Sequence, residues 1–192
     1  MTSFLRFEEV TADLGAPLID GAGARDQYHE GYFLCAKEAA TALRLRKGKN
    51  RSAMPVLFLY RHYLEIALKD ALEKSKVFDL SQSDKKFAHD LVALWAETKK
   101  ALEVFVSPDF LAPIGSAVET FSTIDQRADA FRYATNSKGD PQMPKDAYVV
   151  YHELIAQMDD VYAAIELAIG EIRVQEAELD RAIGEAVARD RT

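Results

Sequence analysis

The stretch Met54-Pro-Val-Leu-Phe-Leu-Tyr-Arg-His-Tyr-Leu-Glu-Ile-Ala-Leu-Lys-Asp-Ala-Leu72 decides the fold. At about 100° per residue, Val56, Tyr60, Tyr63, Leu64, Ala67 and Ala71 fall on one side of a helix. Arg61, His62, Glu65, Lys69 and Glu73 fall on the other. Leu59 and Ile66 sit among those charges, so the polar side is expected to be covered in part. Pro55 suits the first turn, where its missing N–H would have no intrahelical partner. A central helix follows. Charges on its half-covered face need partners, because an unpaired buried charge is very costly.

Other helices flank it. Before it, Asp26 reads as the N-cap of a helix over about 27–46. Tyr28, Tyr32, Cys35, Ala36, Ala39, Ala40 and Leu43 recur there at helical spacing. Gly31, Ala36 and Ala39 are small enough for a close neighbour. After it, Ser81-Gln-Ser83 offers a cap for a helix over about 84–105, with Phe87, Leu91, Leu94, Trp95, Ala101, Leu102 and Phe105 on its apolar face. Pro113 and Gly115 predict irregular chain over about 108–116, then a short helix over about 116–125. The turn formers between Phe131 and Pro144 predict a short extended segment and an exposed turn or small hairpin.

From Lys145 to Arg189 the pattern is helical throughout. Tyr151, Ile155, Met158, Tyr162, Ile165, Ile169, Ile172, Leu179, Ile183 and Ala186 follow three- and four-residue steps, broken at Glu176. Such a seam fits bundle packing followed by an extension that pairs with a partner. Gly170 and Gly184 each weaken it by roughly 1 kcal/mol, and fraying or a kink is expected after Gly170. Residues 1–25, broken by Gly15, Pro17, Gly21 and Gly23, read as an N-terminal arm. The fold class is all-α. We expect a bundle of about five helices, with one domain over 26–192 and a helical extension over 173–192.

Composition narrows the function. The net charge is −7, and residues 146–192 carry all of it; residues 1–145 are balanced. An acidic terminal helix argues against non-specific DNA binding through that segment. Arg44-Leu-Arg-Lys-Gly-Lys-Asn-Arg51 has five basic residues in eight and reads as a solvated turn or a phosphate-contacting loop. The chain has no run long enough to span a membrane, and its first residues do not read as a signal peptide. With one cysteine, Cys35, there is no intramolecular disulfide. Cys35 is expected to pack as a small buried residue. A cytoplasmic location follows as an expectation.

Several chemistries have no carrier. No phosphate-cradling glycine loop, paired-cysteine zinc pattern, His-Glu-x-x-His or Gly-x-Ser-x-Gly occurs. His29-Glu30 and His152-Glu153 lack a third ligand, so neither a metal nor a cofactor is expected. What remains is a polar set on apolar segments: Arg61, His62, Glu65 and Lys69, then His89 and Asp90, then Asp125, Arg132 and Tyr133. One reading is a buried ion-pair network in which Glu65 and Asp125 satisfy Arg61 and Arg132. The other is a cleft, where two arginines hold a phosphate and a histidine moves a proton. RNA cleavage by 2′-hydroxyl attack would use those parts without a metal.

Tyr60-Arg-His-Tyr-Leu-Glu-Ile-Ala-Leu-Lys69, His89-Asp-Leu91 with Leu94-Trp95, Ile124-Asp125 and Phe131-Arg-Tyr133 also carry a family resemblance. Together they resemble a bacterial branch of the HEPN superfamily, over roughly residues 27–170. The resemblance implies a bundle of four or five helices, a homodimer, and RNA or nucleotide binding or metal-independent RNA cleavage in toxin–antitoxin or phage-defence systems. Catalytic members carry an Arg and a His separated by four to six residues on one helix. No Arg in this chain has a His at that spacing. The resemblance therefore implies a non-catalytic nucleotide- or RNA-binding module. The ligand-binding candidates are Arg61, His62, Glu65, Lys69, His89, Arg132 and Tyr133, and the partners are RNA, a nucleotide or another protein. A diverged ribonuclease and a structural dimeric scaffold are the alternatives.

Overall fold

A computed structural model describes residues 24–45, 53–80, 87, 89–125, 130–143 and 147–189, with side chains from Tyr28 onward. Of the described residues 79% are helical, and the fold is an all-α bundle. Five helices follow in order: α1 (Ala24–Leu45), α2 (Met54–Ser75), α3 (Leu91–Leu102), α4 (Pro108–Ile124) and α5 (Tyr151–Arg189). Each packs on the next in sequence, α4 and α5 included, and α5 closes the bundle against α1 and α2. Helix α2 touches α1, α3 and α5 and so lies at the centre.

The apolar side of α2 explains its place. Val56, Tyr60, Tyr63, Leu64, Ala67, Leu68 and Ala71 are buried against the other helices. Leu59 and Ile66 are half-buried, so the polar side is covered in part, as the sequence implies. Pro55 occupies the first turn. The helix ends in a 3₁₀ turn over Lys76–Phe78, and Asp79 stops it in the left-handed region at φ 58°.

The structure corrects several boundaries and faces. Helix α1 begins at Ala24, so Asp26 lies inside its first turn and is not its cap. Its buried face is His29, Phe33, Ala36 and Ala40, rotated from the expected one. Tyr28 is exposed, and so is Cys35. Gly31 faces open space and permits no close approach. The expected N-terminal arm up to residue 23, most of the basic stretch after Leu45, and the Ser81–Ser83 cap lie outside the described residues.

Helix α3 starts at Leu91, later than expected. Asp90 is its N-cap and accepts a hydrogen bond from the Ala93 N–H at 3.0 Å. Phe87 and His89 therefore precede the helix. Helix α4 runs unbroken from Pro108 through Pro113, where irregular chain was expected. A proline there removes the N–H that would bond the Asp109 carbonyl. Residues 107–110 are exposed, so water can take that carbonyl. Gly115 is where α3 and α4 approach: a Cβ there would lie 3.4 Å from the Trp95 indole nitrogen.

The 131–144 insertion holds no strand among the described residues. A single bridge joins Thr135 to Pro141. The turn is organised by Asn136, whose side-chain oxygen accepts from the N–H groups of Lys138 and Asp140 at 2.8 and 3.0 Å.

Helix α5 has 39 residues and continues through Gly170. Its seam is buried from Met158 to Ile172. From Arg173 to Arg189 every residue except half-buried Glu176 is exposed. A Cβ added at Gly170 would meet nothing within 4 Å. Gly170→Ala should therefore raise stability by about 0.5–1 kcal/mol through reduced backbone entropy of the unfolded chain. Urea denaturation of both proteins checks it; a destabilised variant would mean the helix needs its glycine.

Candidate functional site

Arg61 sits on α2 and is 2% exposed, with Glu65 at 4% and Asp125 at 2%. Its guanidinium reaches three segments of chain. Nη1 donates to Glu65 Oε2 at 3.2 Å, one helical turn on. Nη2 donates to the His89 carbonyl at 2.7 Å, just before α3. Nε donates to the Asp125 carbonyl at 3.4 Å and lies 3.5 Å from its carboxylate, at the end of α4. A cation at that helix C-terminus is favourable for the last carbonyls. Asp125 in turn accepts from the Ala130 N–H at 3.0 Å.

Glu65 is the hub on the other side. Its Oε1 accepts from Lys69 Nζ at 2.7 Å and lies 3.1 Å from His89 Nδ1. Burial alone would raise the Glu65 carboxyl, but the hydrogen bonds and charges of Lys69 and His89 outweigh it, and the net shift is downward. Lys69 and His89 themselves are 46% and 58% exposed along their side chains. So the cluster grades from a dry centre at Arg61 to a wet edge at Lys69 and His89.

His62 lies beside this edge and is half-buried. Tyr32 meets its ring edge-on at 4.6 Å between centroids, and Phe58 stacks on it at 5.7 Å. Burial lowers its pKa from the ordinary 6.5; Glu65 opposes the shift, while Lys69, Arg61 and His89 add to it. The sign follows: between the lowered value and 6.5 the unfolded chain holds more protons, so stability rises with pH through that window. Acidifying from about pH 7 to 5 should thus cost stability, and His62→Gln should flatten that part of the profile. Denaturation midpoints across the range test this, and parallel curves for both proteins would refute it.

The structure brings Arg61, Glu65, Lys69 and His89 together, with His62 adjoining. It leaves Arg132 and Tyr133 on the surface. There the Arg132 guanidinium lies 5.5 Å from the centre of the Tyr133 ring. Their neighbour Phe131 is the buried anchor, edge-on to Phe121.

A second polar cluster was not anticipated. His29 on α1 is 1% exposed, and its Nε2 lies 3.2 Å from Glu166 on α5. Its Nδ1 is 3.9 Å from Asp70 on α2, which Lys74 holds at 2.7 Å. Lys37 pairs with Asp159 at 2.8 Å, and the Tyr162 hydroxyl donates to Glu30 at 3.1 Å. The one sequence signal was His29 in line with Phe33, Ala36 and Ala40, at helical spacing. These contacts pin α5 to α1.

Among the described residues, no group of His, Cys, Asp and Glu could hold a metal ion. Among the same residues, no helix is long and apolar enough to cross a membrane. No family model matches the chain, and neither a curated protein nor a solved structure does.

Proposed function

We propose that this chain is a non-catalytic, dimeric interaction module. The observation that carries the reading is the α5 extension. Leu179, Ile183 and Val187 are 38%, 53% and 47% exposed. They share one side of the helix with Ala182 and Ala186. Most helical stability in proteins comes from packing of an apolar face, and among the described residues of one chain the extension has nothing to pack against. A second copy supplies such a face by symmetry. The closed Arg61 cluster supports the non-catalytic part, since its guanidinium is occupied by protein acceptors. The HEPN resemblance, with its missing Arg–His pair, supports the same reading. Light scattering of the full chain tests it: a mass twice 21.5 kDa is expected. A monomer at micromolar concentration would refute the dimer.

A second reading is favoured by the wet edge of the cluster. His62 lies against the Tyr32 and Phe58 rings, and the Lys69 and His89 charges act on it. Rings and cations together suit a base and its phosphate. This is the nucleotide- or RNA-binding function the resemblance implies. Titration with adenosine monophosphate and a short RNA, followed through the histidine ring signals by NMR, tests it. Unmoved His62 and His89 signals would remove it. RNA cleavage that persists in EDTA would instead favour the diverged ribonuclease.

A further inference from the structure

We infer that the groove at the root of the α5 extension seats the α5 tip of a second copy of this chain. The inference rests on the dimeric reading above and adds where the partner's helix lies. The groove, of about 260 Å³, is lined by Phe78 and Leu80 after α2, Val104 and Phe105 after α3, and Glu171 and Gln175 on α5. Phe78 and Phe105 meet edge-on at 5.2 Å and are half-buried, while Val104 is 62% exposed.

Groove and stripe form one surface. Residues 171, 175, 179, 182 and 186 recur at steps of four, four, three and four, so they share a side of α5. The wall of the groove thus runs directly into Leu179, Ala182 and Ala186. A lone helical stripe is narrow against the roughly 800 Å² per partner that a stable interface buries. The groove supplies a second apolar wall beside it.

Charge fixes the direction. Glu171 stands at the groove rim, and Arg189, 3.5 Å from Glu185 of its own helix, lies near the α5 tip on the same side. An antiparallel crossing of two α5 helices brings each Arg189 toward the other copy's Glu171. A parallel one would set Glu171 against Glu171. The antiparallel crossing is isologous and closes on itself. It carries Ala182 and Ala186 of each copy toward the groove of the other.

The test uses the full chain in a dilution series by light scattering, with circular dichroism to monitor the fold. Val104→Glu should weaken self-association at least tenfold and leave the helical signal unchanged, because Val104 is exposed within one chain. Ala177→Glu is the control. Ala177 is exposed and, at about 100° per residue, points away from Gln175, Leu179, Ala182 and Ala186, so its association should match the wild type. If Val104→Glu dimerises normally while Ile183→Asp does not, the groove inference falls and the dimeric reading stands. A monomeric wild type overturns both. Equal weakening by Ala177→Glu would overturn the assignment of the side.

Discussion

Arg61→Ala should cost about 3–5 kcal/mol of stability, the range for removing one partner of a buried ion pair. The loss is not that of one salt bridge. The substitution leaves the Glu65 and Asp125 carboxylates in a dry site and strips a donor from two backbone carbonyls. Glu65 keeps Lys69 and His89, and Asp125 keeps the Ala130 N–H, which softens the effect. Arg61→Lys should fall between the two proteins. An ammonium keeps the charge but cannot reach all three acceptors from one planar fork. Urea denaturation gives the measurement. A change below about 1 kcal/mol, the level of an exposed pair, would mean that Arg61 is held for a ligand and not for the fold.

Ile183→Asp should abolish the dimer at micromolar concentration. A charged side chain replaces an apolar one at the contact, and a two-fold interface carries the change twice. At about 2 kcal/mol or more for each central position, the two copies together weaken association about a thousandfold, since every 1.4 kcal/mol is a factor of ten. The monomer itself should fold as before, because Ile183 is exposed within the chain and lies well beyond the last buried seam residue, Ile172. Unchanged mass by light scattering would remove the extension from the interface.

The parts of the fold legible in the sequence were those set by local period. Helix α2 could be read because Val56, Tyr60, Tyr63, Leu64, Ala67 and Ala71 line one side of it, while Leu59 and Ile66 among the charges signalled that the other side is covered too. Arg61 and Glu65 are four apart, so their pairing was visible too. The α5 seam was equally plain, including the point after Ile172 where it leaves the bundle. Other features depend on contacts between distant segments. The orientation of α1 is set by His29 meeting Glu166, 137 positions away, and nothing local signals it. The exposed ring of Tyr28 and the half-buried ring of Tyr32 pack on each other and misdirected the choice of face. Helix α4 crosses Pro113 because its carbonyl partner is at an exposed end, which periodicity does not report. Asp90 displaced an expected cap because its carboxylate reaches the Ala93 N–H, a matter of backbone angle at one residue. Of the candidate site, the sequence picked out Arg61, Glu65, Lys69, His89 and Asp125, with the enclosed ion-pair network as one of two readings; Arg132, placed in that network, lies on the surface instead.

That enclosure also governs how the molecule opens. One guanidinium joins α2 to the chain just before α3 and to the residue that follows α4. Fraying either end means giving up a bond to the same buried cation, and the remaining acceptors cannot replace it. The start of α3 and the end of α4 are therefore coupled in any local opening, although 36 residues separate His89 from Asp125. Their slowest amides should exchange with solvent as one cooperative unit, together with the middle of α2. The α5 extension, which shares none of these bonds, opens on its own.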